Sequence, residues 1–159
     1  MALSIASVGA CTVLDRTPPA DAVFSEGCGE PLLETVTQTR SIEVGGHERH
    51  YRLRPPGSYD PDYPFPLLIG LHGAGDDGDA IREYSEIESQ AANRAILIFP
   101  DALEDEDGIP RWTESDAAFL DAIAAELADE LCVDTSRVYA FGFSSGASMA
   151  NYWACTSER

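Results

Sequence analysis

Three short apolar runs, separated by stretches of helix length, constrain this chain more than any other feature. Leu67-Leu68-Ile69-Gly70-Leu71, Ala95-Ile96-Leu97-Ile98-Phe99 and Arg137 to Phe141 each read as a strand buried on both faces. Between the first two, Ile81, Tyr84, Ile87 and Ala91 recur at helical spacing, which predicts a helix over 79–93. Between the second and third, the stripe Phe119, Leu120, Ile123, Leu127 and Leu131 predicts a helix over 117–131, with Ser115 or Asp116 as its cap. A further helix is expected from Ser145 to about Cys155. Strand and helix in alternation give parallel strands with right-handed crossovers, so the expected fold is α/β with a doubly wound, mostly parallel sheet. Upstream, Ser41–Val44 and Arg49–Arg54 alternate about the Gly45-Gly46 pair, a hairpin that adds antiparallel strands at one edge.

The loops after two of these strands carry the chemistry. Gly142-Phe143-Ser144-Ser145-Gly146 fits the G-x-S-x-G pattern, immediately after a buried strand and immediately before a helix. A chain that turns so sharply from strand to helix lifts the serine clear of the sheet, at the positive end of the helix. Ser144 is therefore the expected nucleophile, and the amide of Ser145 an expected oxyanion donor. Ser148, one turn up the helix, is read as structural. The second loop, His72-Gly73-Ala74-Gly75, follows the first buried strand. Its glycines free an amide to aim at the same oxyanion. Ala74 is the expected donor, with Gly73 and Gly75 as neighbours in the binding site. An oxyanion hydrogen bond of this kind is commonly worth about 3 kcal/mol in the transition state. His72 reads as a structural loop residue. Phe143, Trp112 and Tyr59 either line a cleft or anchor loops and core, and the sequence leaves both readings open.

Charge narrows the partners. The chain carries 28 Asp plus Glu against 10 basic residues, every one of them Arg, for a net charge of −18. Such a surface repels phosphate backbones and argues against nucleic acid. No Cys/His spacing suggests zinc, and no metal or organic cofactor is implied. The opening residues resemble the end of an export signal, and Val8-Gly9-Ala10-Cys11 resembles a lipobox, although no Lys or Arg precedes the apolar stretch. Export to the periplasm or the exterior is expected, with lipidation of Cys11 as the possible membrane link. Residues 1–30 are read as leader and linker, and 31–159 as the N-terminal portion of a catalytic domain.

Taken in order, Gly27-Cys28-Gly29, Tyr51-Arg52-Leu53, Leu71-His72-Gly73, Phe99-Pro100-Asp101, Asp116-Ala117-Ala118-Phe119, Asp134 to Tyr139 and Gly142 to Met149 resemble the extracellular polyhydroxybutyrate depolymerase and feruloyl or acetylxylan esterase family. The resemblance implies an α/β-hydrolase that cleaves polymer or plant-wall esters through an acyl-enzyme. Two departures stand out. Ser145-Gly146-Ala147 occupies positions where the family often has Asn-Gly-Gly. The family also places its acid and then its histidine after the serine, whereas here His47, His50 and His72 all precede Ser144 and only Glu158 follows it as an acid. The chain is accordingly read as incomplete at the C-terminus and nearly inactive alone.

The strand before the elbow climbs roughly 17–20 Å and the helix after it descends roughly 15 Å, which brings Cys155 back to the level of Cys132. The expectation is a Cys132–Cys155 disulfide, with two buried thiols as the alternative and Cys28 paired with a residue beyond position 159. Two rival functions remain on the same scaffold: a peptidase or thioesterase, and a non-catalytic surface lipoprotein or binding module.

Overall fold

A computed structural model describes residues 17–91 and 93–157. Cys11 and the lipobox-like run lie outside the described residues.

Five strands form one mixed sheet. β1 (Gln38–Val44) and β2 (His47–Arg54) make the expected hairpin, turning through Gly45 and Gly46 at φ 62° and 80°. β3 (Phe65–Leu71) and β4 (Ile96–Pro100) are the first two buried runs, whereas β5 (Val133–Gly142), outermost among the described strands, is half-buried to exposed over Arg137–Phe141, with Tyr139 53% exposed, so the expected burial on both faces does not hold there. Strand order is β1-β2-β4-β3-β5, antiparallel through β2–β4 and parallel through β4–β3–β5. The hairpin therefore sits at one edge, as the sequence suggests.

Alternation along the strands divides the core into two faces. Leu67, Ile69, Leu71, Ile96 and Ile98 point toward α3 (Ala117–Glu130) and α4 (Ser145–Thr156), where Phe119, Leu120, Ile123, Leu127, Met149 and Trp153 complete the larger cluster. Leu68, Leu97 and Phe99 point the other way, toward Ile81 of α1 (Gly78–Ser85) and Ile87 of α2 (Ile87–Ala91). Helices on both faces make the sheet doubly wound.

Two elements differ from expectation. The helix over 79–93 is broken at Glu86, whose φ of 52° closes α1 with a bond from its own amide to the Glu83 carbonyl. The break re-aims α2, so that Ile87 and Ala91 still reach the smaller cluster. β5 begins four residues earlier than Arg137, and its register against β3 jumps from Phe65↔Val133 to Leu67↔Val138. The extra residues bulge around Asp134, a fully buried carboxylate that takes the amides of Val23 and Ser136, the Ser136 hydroxyl and the Arg137 guanidinium.

That bulge receives the segment read as linker. The Ser25 amide donates to the Val133 carbonyl, the Thr135 amide to the Val23 carbonyl and the Gly27 amide to the Ala128 carbonyl, so residues 23–27 lie alongside the start of β5. Close approach demands glycine at position 27, where a Cβ would fall 2.4 Å from the Leu131 nitrogen. This docking carries Cys28 to Cys132, and those two form the disulfide. The expected Cys132–Cys155 pairing is thus incorrect, and so is a partner for Cys28 beyond position 159. Gly146, Met149 and Trp153 define the buried side of α4. Cys155, two residues beyond Trp153, is turned about 200° from it and stands exposed as a free thiol.

Candidate active site

The elbow is built by contacts that tolerate only glycine at two places. After Gly142 the chain leaves β5, the Phe143 amide donates to the Leu71 carbonyl at 3.1 Å, and α4 begins at Ser145. A Cβ on Gly142 would lie 2.5 Å from the Gly146 carbonyl carbon, and one on Gly146 would lie 2.1 Å from the Leu71 oxygen. Between them Ser144 adopts φ 51° and ψ −119°, a sparsely populated backbone conformation for any residue with a side chain. It is exposed. Its carbonyl accepts from the amides of Ala147 and Ser148, which anchors the turn to the first turn of the helix. The Ser145 amide opens that turn and has no acceptor among the described residues, as expected of the first N–H of a helix.

The His72–Gly75 loop lies directly beside this turn, since the Gly146 Cα packs against the Leu71 and His72 carbonyls. The loop is held from behind by the segment that follows β4. The buried His72 accepts the Ala102 amide at Nε2 (3.0 Å) and places Nδ1 2.7 Å from the Gly73 carbonyl. This pattern puts the proton on Nδ1 and occupies both ring nitrogens, so His72 serves the loop's shape. The Trp112 indole donates to the His72 carbonyl at 2.9 Å, with the two rings 5.1 Å apart. The Gly75 amide is spent on the Pro110 carbonyl at 2.9 Å, and the Asp76 amide on the Gly73 carbonyl. Among the described residues no group accepts from the amide of Ala74, which is exposed at the tip.

A cleft of about 350 Å³ opens on the α4 face, lined by Trp112, Thr113, Ser145, Ser148, Met149 and Tyr152, with Arg111 and Glu114 also on its wall. The Ser145 hydroxyl is buried there without a hydrogen-bond partner among the described residues. Trp112 thus does both things the sequence left open: it anchors a loop through its indole and lines the cleft. Phe143 is 61% exposed on the opposite side of the elbow. Tyr59 stays away from the site, stacking on Phe65 and accepting the Cys132 amide at 2.7 Å. Ser148 lines the cleft rather than packing inside. Sequence reasoning missed Met149 and Tyr152, although Ser145, Ser148, Met149 and Tyr152 follow the i, i+3, i+4, i+7 spacing of one helix face.

The other two histidines do not approach Ser144. His47 and His50 are exposed on β2, and β4 and β3 stand between that strand and β5, a separation of roughly 14 Å at the usual spacing of strands.

No family model matches the chain. Curated relatives do. Feruloyl esterase C of Emericella nidulans is 35% identical over 144 residues, covering 86% of this chain and 50% of that protein. Feruloyl esterase D of Neurospora crassa is 29% identical over 149 residues, covering 86% of this chain and 51% of that protein. The chain therefore spans about half the length of the curated relatives it matches. Among solved structures, a ferulic acid esterase of Anaeromyces mucronatus in complex with ferulic acid superposes with a TM-score of 0.60 at 17% identity, covering 87% of this chain and 56% of its own. An S-formylglutathione hydrolase of Agrobacterium tumefaciens gives 0.61 at 16% identity, covering 76% and 52%. At these identities the structural likeness establishes the fold, an α/β-hydrolase with an N-terminal antiparallel hairpin. The chain thus has the α/β-hydrolase fold, and over 86% of its own length it is similar in sequence to feruloyl esterases C and D.

Proposed function

We propose that this chain contributes the nucleophile and the oxyanion hole of a carboxylic-ester hydrolase acting on aromatic acyl esters of the feruloyl type. The single observation that carries this reading is the exposed Ser144, held at φ 51° between two glycines and beside a loop whose Ala74 amide is unspent. In the reaction the Ser144 hydroxyl attacks the ester carbonyl. A carbon–oxygen bond forms to Oγ, and the carbonyl electrons move onto the oxyanion, which the Ser145 and Ala74 amides receive. The alkoxy bond then breaks, the serine proton leaves with the alcohol, and water releases the acid. The acyl group would occupy the cleft beside Trp112 and Tyr152, whose volume of about 350 Å³ suits a planar ring and its linker.

A serine hydroxyl needs a base near neutral pH. His72 has both ring nitrogens engaged, while His47 and His50 lie strands away. The reading therefore assigns the base to polypeptide other than these residues, and acylation by the chain alone is slow. Export of the protein fits the same picture, because a Cys28–Cys132 disulfide persists in an oxidising compartment.

The test is an acyl-trapping experiment with para-nitrophenyl ferulate, an activated ester whose leaving group needs no proton. Peptide mass spectrometry is expected to find a feruloyl group on Ser144, accumulating because no base promotes its hydrolysis, and absent from Ser144→Ala. An adduct that persists in Ser144→Ala rejects the nucleophile. Rapid multiple turnover would instead overturn the assignment of the base.

A further inference from the structure

An ester offers two groups to the serine that attacks it, and two different surfaces flank Ser144. The acyl cleft lies on the α4 face of the sheet. On the opposite face, where α1 packs, Phe143 and Tyr84 stand 61% and 47% exposed with their rings edge to face at 6.0 Å. The Phe143 ring lies against Gly73, 3.1 Å from where a Cβ on that residue would sit, so a side chain there would push the ring off the loop. Neither ring belongs to the buried core: most of Phe143 and about half of Tyr84 remain in water, and the Tyr84 hydroxyl faces the Gly73 amide. They come from separate elements, the elbow itself and helix α1, and meet only beside the nucleophile.

We infer that Phe143 and Tyr84 form the subsite for the leaving alcohol, and that the alcohol it takes is uncharged and ring-bearing. This rests on the esterase reading of Ser144. An open ledge sets no limit on the size of the group beyond the ring, whereas the cleft does. Two exposed aromatic faces favour a flat or edge-on ring, a geometry with its own stabilisation. Charge is disfavoured: the Asp76 carboxylate lies beside Gly73, and the chain as a whole carries −18. Acyl and alkoxy selectivity therefore reside on opposite faces of one sheet, in residues that do not touch.

Binding to Ser144→Ala separates the two faces. Benzyl ferulate is expected to bind roughly 3- to 10-fold more tightly than methyl ferulate. Tyr84→Ala, made in that background, should bring the ratio of the two Kd values close to one, and Phe143→Leu should lower it, with thermal unfolding followed in parallel to confirm folding. Benzyl alcohol alone should shift the ring resonances of Tyr84 and Phe143 and leave the Trp112 indole N–H in place. A ratio unmoved by both substitutions, or alcohol shifts centred on Trp112, overturns the assignment. Failure of both esters to bind, with the alcohol shifts intact, rejects the acyl cleft and leaves the ledge standing. No response to the alcohol rejects the ledge.

Discussion

Ser144→Gly should make this protein more stable, and the size of the gain follows from the backbone. At φ 51° and ψ −119° the Ser144 Cβ crowds its own peptide groups, a strain of order 1–3 kcal/mol. Glycine removes the Cβ and with it the strain. The replacement also gives the unfolded chain more freedom, which costs about 0.5–1 kcal/mol. The net expectation is a gain of about 1 kcal/mol, or about 3 °C in Tm for a domain of this size. Ser144→Ala keeps the Cβ and so keeps the strain, which makes it the control: it removes the hydroxyl without relieving the turn. Thermal unfolding and urea titration of the three proteins, with the disulfide intact, read the difference. Equal stabilities for Ser144→Gly and Ser144→Ala would refute the claim that the elbow stores strain at this residue. It would also remove the physical reason for reading the turn as a device that holds a hydroxyl in place.

Two further outcomes follow from the docked N-terminal segment. Replacing Cys28 and Cys132 together with serine opens a loop of sequence separation 104 and should cost about 3–5 kcal/mol in urea unfolding, while Cys155→Ser, at an exposed thiol, should stay within about 0.5 kcal/mol. Burial pushes the Asp134 carboxyl upward, yet the Ser136 and Val23 donors and the Arg137 guanidinium outweigh it and hold the group below its ordinary value. A depressed folded-state value means the stability is present above the unfolded value of about 3.9 and is lost as pH falls through the folded one. The urea midpoint should accordingly fall below about pH 4, and Asp134→Asn should flatten that fall while costing about 1–3 kcal/mol near neutrality.

Much of this architecture is legible in the sequence. The apolar runs at 67–71 and 95–99 became β3 and β4 with little change because each is buried on both faces, where hydrophobic burial and strand formation ask for the same residues. The elbow was equally legible, since a glycine on either side of a serine between strand and helix has one steric purpose. The bulge at Asp134 was not. Asp134-Thr135-Ser136-Arg137 is polar and turn-like by local criteria, and it belongs to β5 only because Val23, Ser136 and Arg137 converge on its carboxylate. The broken helix at Glu86 was hidden for a similar reason: the stripe Ile81, Tyr84, Ile87, Ala91 continues across the break, and only packing against Leu97 and Phe99 shows that α2 has been re-aimed.

Local periodicity and steric necessity were thus enough to determine the sheet, the hairpin, the strand–serine–helix turn and the loop that faces it, because each depends on residues a few positions apart. Which cysteine meets Cys132, where the Tyr84 ring falls and what Trp112 holds depend instead on segments tens of residues distant. Those answers were decided when residues 23–28 folded back on β5 and α1 settled against the sheet, since side-chain proximity across such separations is set by the path of the whole chain and leaves no trace in local spacing.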